Sequence, residues 1–153
     1  MVARDSSGRF IPGSGGGSGS GKQQIRIIVD GLESDAEQVI KKLTLDVVAN
    51  LTKAPQEGGT PIATGWARAN WIANVATPRT DVVGSPESIA SAEAEQAASQ
   101  GSVLGYKLRS GPVYISNNVP YIIRLNEGSS KQAASGFVQA AIQLAVTQLR
   151  TAA

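Results

Sequence analysis

QIRIIVDGLESDAEQVIKKLTLDVVANLTKA, residues 24–54, changes its hydrophobic period partway along, and the place of that change decides the fold. In QIRIIVD, residues 24–30, Ile25, Ile27 and Val29 alternate with Arg26 and Ile28, the two-residue period of a half-buried strand. From Gly31 onward the period lengthens. Ala36, Val39, Ile40, Leu43, Val47 and Leu51 then share one face of a helix. Ser34 and Glu37 have the spacing of a capping box, which predicts the helix start, and Pro55 with Gly58 and Gly59 predicts its end. A strand feeding a long helix sets an α+β expectation for the rest of the chain.

Downstream, TPIATGWARANWIANVAT (residues 60–77) reads as a loop running into a strand. Ala67, Ala69, Trp71, Ala73 and Val75 would form an apolar face of mostly small side chains, suited to packing under a helix. Trp66, Arg68, Asn70, Ile72 and Asn74 would form a polar face with two large anchors, suited to an interface; two ordinary tryptophans at a core edge explain the same residues. SPESIASAEAEQAASQ (85–100) carries a helix-start signature in Ser85, Pro86 and Glu87. Its one large apolar residue, Ile89, predicts a marginal helix, either an excursion from the sheet or a piece that firms against a partner. VYIS (113–116) returns to strand chemistry. SGFVQAAIQLAVTQLRTAA (135–153) is amphipathic, with Val138, Ala141, Ile142, Ala145 and Leu149 on one face. The expectation is a small antiparallel β-sheet packed against two long helices. An extended Gly/Ser-rich basic arm (1–22) precedes a single domain (23–153) with an Ala-rich excursion at about 80–105.

The composition narrows the function classes. The 153 residues include no histidine and no cysteine, which removes imidazole bases, thiolate nucleophiles and the usual transition-metal ligands. The carboxylates are scattered and no Ser-x-x-Lys stands in a strand-to-helix context, so an enzyme is not expected. GSGGGSGSG (13–21) looks superficially like a phosphate loop. However, no strand precedes it and Gln23 occupies the Ser/Thr position after Lys22, so no cofactor site is expected. No apolar run reaches membrane-spanning length, and MVARDSSGRFIPG has no apolar core of a secretory signal. The formal net charge is only +2, although Arg4, Arg9, Lys22 and Arg26 outnumber Asp5 in the first 26 residues. Arg68, Arg79, Lys107, Arg109, Arg124 and Lys131 could line a nucleic-acid surface with Trp66 and Tyr114 for stacking. Acidic residues interleave with them, which leaves non-specific contact with a DNA backbone and no sequence-specific reading.

Three ordered blocks carry a resemblance. Thr60, Pro61, Thr64, Gly65, Arg68, Asn70 and Trp71 form the first. Ser116, Asn117, Asn118, Pro120, Tyr121, Glu127, Gly128, Ser129, Ser130, Lys131 and Gln132 form the second, and Gly136, Phe137 and Val138 the third. In this order they resemble the tail-completion or neck (head-tail joining) proteins of tailed double-stranded-DNA bacteriophages, the lambda minor tail protein Z-like group. The resemblance spans roughly residues 32–148. It departs at Ala134, where relatives often carry proline, and does not cover the arm or the excursion.

The resemblance implies a structural virion protein in the neck at the top of the tail, assembled in the host cytoplasm. It would be a homo-oligomer, a hexameric ring that completes the tail and joins it to the head connector. Its partners would be connector or adaptor proteins on one side and a tail terminator or tail tube protein on the other, with non-specific DNA contact in the channel and no membrane. Asn117 and Asn118 as turn and cap residues, Pro120 and the Gly128 cap make NNVPYIIRLNEG (117–128) a strand-turn-helix corner. Well-capped core packing explains those caps. A ring seam also explains Tyr114, Tyr121, Arg124, Glu127 and Lys131 at the same corner. Trp66, Arg68 and Trp71 would join the seam, and Arg4, Arg9 and Phe10 would reach a neighbour through the arm, ordered only on assembly. Two alternatives are a terminator that caps tail-tube polymerisation and, in another class, a DNA-backbone-binding module using the basic arm.

Overall fold

The computed structural model describes residues 17–152, with side chains from Gly21. Arg4, Arg9 and Phe10 lie outside the described residues. The chain divides into two compact units, residues 1–35 and 36–153. Its elements are α1 (Gly17–Thr52), α2 (Trp66–Ala69), β1 (Ile72–Val75), α3 (Ala90–Leu104), β2 (Val113–Ser116), α4 (Ile122–Asn126) and α5 (Phe137–Ala152). The fold is α+β and mostly helical. Among the described residues it has a two-stranded antiparallel sheet, and three helices of 15 residues or more where two were expected.

The strand expected at 24–30 is helix, part of the 36 residues of α1. Its alternation also fits a helix, because Ile25, Ile28, Val29 and Leu32 recur at three, four and seven residues. A strand needs a ladder partner, whereas a helix closes its hydrogen bonds within the segment. Extending an existing helix also avoids the nucleation cost. The capping box is likewise overturned: Ser34 and Glu37 lie inside α1, not at its start. Gly17 to Lys22, the end of the expected arm, also fall in α1.

In the second unit the core joins Val47 and Leu51 of α1 to Trp71 and to Phe137, Ala141 and Ala145 of α5. Leu43, Ile115, Ile122, Leu125, Ala133 and Val138 pack around it. Asn50 ties the two helices, donating to the Ala141 carbonyl (3.2 Å) and to Gln148 Oε1 (3.1 Å). The end of α1 is finished by Thr60. Its N–H and hydroxyl both donate to the Leu51 carbonyl, at 2.9 and 2.7 Å, while its Oγ1 accepts the Trp71 indole N–H at 2.8 Å.

Only Ile72–Val75 of the expected long strand is extended; residues 66–69 form the turn of α2. Asn70 stops that turn. Its amide donates to the carbonyls of Trp66 and Val83, and its Oδ1 accepts the Val83 N–H. β1 pairs with β2 in the register Ile72↔Ser116 to Val75↔Val113.

The Ala-rich segment is a packed helix and not a marginal excursion. α3 lies against β1, with Ala92 and Val103 fully buried. Small side chains let it come close, and two polar groups fasten it. Gln96 donates to the carbonyls of Arg68 and Trp71, and the Ser99 hydroxyl oxygen accepts the Ala73 N–H. It starts at Ala90, five residues beyond the expected cap, because Ser85 and Ser88 close a reciprocal backbone bridge of their own (3.1 and 3.0 Å).

Candidate assembly surface

The corner at 116–132 is built as a capped turn. Asn117 Oδ1 accepts the Val119 N–H (3.2 Å), an Asx turn that leaves its amide to donate to the Ala67 carbonyl at 2.7 Å. Asn118 donates to the carbonyls of Arg79 and Asp81. Both asparagines are therefore committed within the chain. α4 ends in a Schellman motif: Gly128, at φ +96°, donates to Leu125 O (3.1 Å), and Ser129 donates to Arg124 O (3.1 Å). Asn126 then opens α5, accepting the Val138 N–H on Oδ1 and the Gly136 N–H on its carbonyl.

The first and second sequence blocks meet here. The Gln132 side chain pairs with the backbone of Ile62 in both directions, accepting its N–H at 2.7 Å and donating to its carbonyl at 2.9 Å. Trp66 and Tyr121 lie with ring centroids 6.0 Å apart at 57°, and the Trp66 indole donates to Val83 O. Between them is a shallow cleft of about 110 Å³, lined by Ile62, Thr64, Trp66, Tyr121, Leu125 and Gln132. Partial burial of Tyr121 raises its phenol above the ordinary value. The cleft is lined by aromatic, aliphatic, hydroxyl and amide side chains and by no carboxylate or basic residue.

The other expected seam residues are dispersed. Trp71 is 6% exposed, in the core, and offers no surface to a partner. Arg68 is half-buried in α2. Arg124, Glu127 and Lys131 are exposed, and among the described residues none of the three has an ion-pair partner. β2 turns Tyr114 to the sheet face opposite Ile115, and it is Ile115 that joins the core with Ile122 and Leu125. Arg79 is held by Asp81 (2.7 Å) and Glu95 (2.8 Å), which raise its pKa, while its guanidinium holds Asp81 below the usual carboxylate range. Glu37 accepts the Leu108 N–H (3.0 Å) and pairs with Lys107 (3.2 Å); the backbone bond does most to lower its pKa, burial opposes it, and Lys107 lowers it further. Among the described residues no three carboxylates gather as a metal site, and no helix is long and apolar enough to cross a membrane.

An uncovered apolar surface lies where the sequence reading placed a strand. Ile25, Ile28 and Leu32 are 63%, 61% and 64% exposed, with Val29 beside them at 44%. The signal was their helical spacing, masked by the simultaneous alternation of Ile25, Ile27 and Val29. In the second unit, Leu43, Val47, Val113, Ile115, Val138 and Ile142 line an apolar groove of about 280 Å³. Compared with protein-family models, characterised proteins and solved structures, the chain matches none.

Proposed function

We propose that this chain is a non-enzymatic structural virion protein that forms a ring in the neck of a tailed phage, completes the tail and joins it to the head connector. The observation that carries the reading is the uncovered aliphatic face at Ile25, Ile28, Val29 and Leu32. Large apolar side chains repeated along one face of a helix mark a surface made to be covered by another protein. The neck is suggested by the three sequence blocks, whose first two converge through the Gln132–Ile62 pair, the Asn117–Ala67 bond and the Trp66–Tyr121 contact. Exposed Arg124, Glu127 and Lys131 offer both charge signs on the same stretch of chain as Tyr121 and Gln132.

Electron microscopy of particles made when the gene is disrupted tests the proposal. Filled heads beside separate tails of normal length are expected. Overlong tails would replace joining with a terminator role, and intact infectious particles would overturn the reading.

A further inference from the structure

We propose that two copies of this chain join through the outer edges of their β2 strands, making one four-stranded antiparallel sheet in the order β1-β2-β2-β1. The Ala76 N–H donates to Pro112 O at 2.8 Å, which fixes the phase of the β1–β2 ladder. Ile72, Asn74 and Ala76 therefore face Ser116, Tyr114 and Pro112 across the hydrogen-bonded positions. The N–H and C=O groups of the alternate residues, Ala73 and Val75 in β1 and Val113 and Ile115 in β2, point outward. The two edges then differ. α3 occupies the β1 edge, where Ser99 Oγ accepts the Ala73 N–H (3.3 Å) and Gln96 donates to the Trp71 carbonyl (3.1 Å). At the β2 edge, among the described residues, no group bonds to the backbone of Val113 or Ile115. Nor does VYIS carry what keeps a strand edge solitary. It has no charge, no proline and no bulge, and Val113, Tyr114 and Ile115 are β-branched or aromatic.

The occupant is a second copy because the edge is complementary to itself. Antiparallel strands can be related by a two-fold axis, and one register, Val113 opposite Ile115 of the second copy, pairs every outward group of both strands. Registers centred on Val113 or on Ile115 pair only half of them. The favoured register sets Tyr114 directly across from Tyr114 of the second copy, on the face opposite Ile115, where the ring is 37% exposed. Aromatic pairs so placed stabilise a sheet. The pairing also enlarges a two-stranded sheet, the smallest kind, to an ordinary size. Because α3 closes the other edge, it stops at two copies and cannot run on into a fibril. The contact is isologous, so it goes beyond the ring reading and is separate from the heterologous seam that a ring requires.

The chain has no cysteine, so one introduced thiol reports the register. In the full-length chain, Tyr114→Cys sets two thiols across a non-hydrogen-bonded pair, within disulfide reach. Under mild oxidation its linked dimer is expected to form at least about 10-fold faster than that of Ser102→Cys, an exposed position on α3 beside the closed edge. Tyr114→Lys and Tyr114→Glu each set like charges at the two-fold axis and are expected to lose the wild-type pairing in sedimentation, with circular dichroism unchanged. An equimolar mixture of the two should pair again, because opposite charges then face each other. Oxidation of Tyr114→Cys no faster than of Ser102→Cys would overturn the edge pairing. Loss of association that the mixture fails to restore would also overturn it, because Tyr114 would then act within its own chain. Larger assemblies that both charge variants leave intact, without the fast cross-link, would overturn the edge pairing and leave the ring reading standing. A wild-type chain that stays monomeric up to its solubility limit would overturn both.

Discussion

Thr60 joins three parts of the second unit through one hydroxyl, donating to the end of α1 and accepting from Trp71. Thr60→Val keeps the shape but strips the indole N–H of its buried acceptor. The expected loss is about 1–3 kcal/mol in urea unfolding. Thr60→Val should be less harmful in a Trp71→Phe background, where no indole N–H is left unpaired, and equal losses would show the hydrogen bond contributes nothing. One residue earlier, a Cβ on Gly59 would run into the Lys53 carbonyl, whereas Gly58, at φ +89°, has open space around it. Gly58→Ala should therefore lose about 1–2 kcal/mol from backbone strain alone. Gly59→Ala must displace the end of α1 and should unfold at a clearly lower urea concentration.

At the scale of elements, α1 and α3 are each fastened by groups that local patterns describe poorly. Glu37 holds the chain around Leu108 to α1, and its folded pKa lies below the ordinary 4.5. The stability it contributes is present above pH 4.5 and is lost as pH falls through the lower folded value. Thermal unfolding between about pH 3 and 6 should show a shallower acid loss for Glu37→Gln than for wild type, with Asp81 supplying part of the remaining slope. In α3, Ala92 has no exposed surface, so Ala92→Leu should overpack the helix against its neighbours and lose about 1–3 kcal/mol by the same urea measurement. β2, α5, the strand-turn-helix corner and the Gly128 cap were legible because turn chemistry and period there point one way. QIRIIVD was not legible as helix because a run of β-branched residues satisfies both periods, and only continuity with the rest of α1 decides. Ser34 and Glu37 imitated a cap because four residues cannot reveal that the carboxylate's partner lies 71 positions away. Trp71 and Trp66 look alike in sequence, yet one is in the core and the other lines a cleft. The difference comes from the single turn of α2, which Gly65 and Asn70 delimit.

For the whole molecule, the candidate surface was legible only in part. The motif blocks located the Trp66–Tyr121–Gln132 corner, but the aliphatic face of α1 was hidden by its reading as a strand. The full exposure of residues 21–32 bears on how long a solitary subunit survives. Those turns are held by their own backbone hydrogen bonds and bury none of the side chains at 21–32, so they open locally far more often than the core does. Lys22 and Arg26 lie within them. Trypsin should therefore cut a lone subunit at these two positions well before it attacks residues 36–152, and should spare both once a neighbour covers the helix. Equal cleavage rates in free and assembled protein would mean that nothing covers it. On the proposed assembly, a protease would therefore distinguish covered copies from uncovered ones, removing the surplus while those whose helix is covered persist.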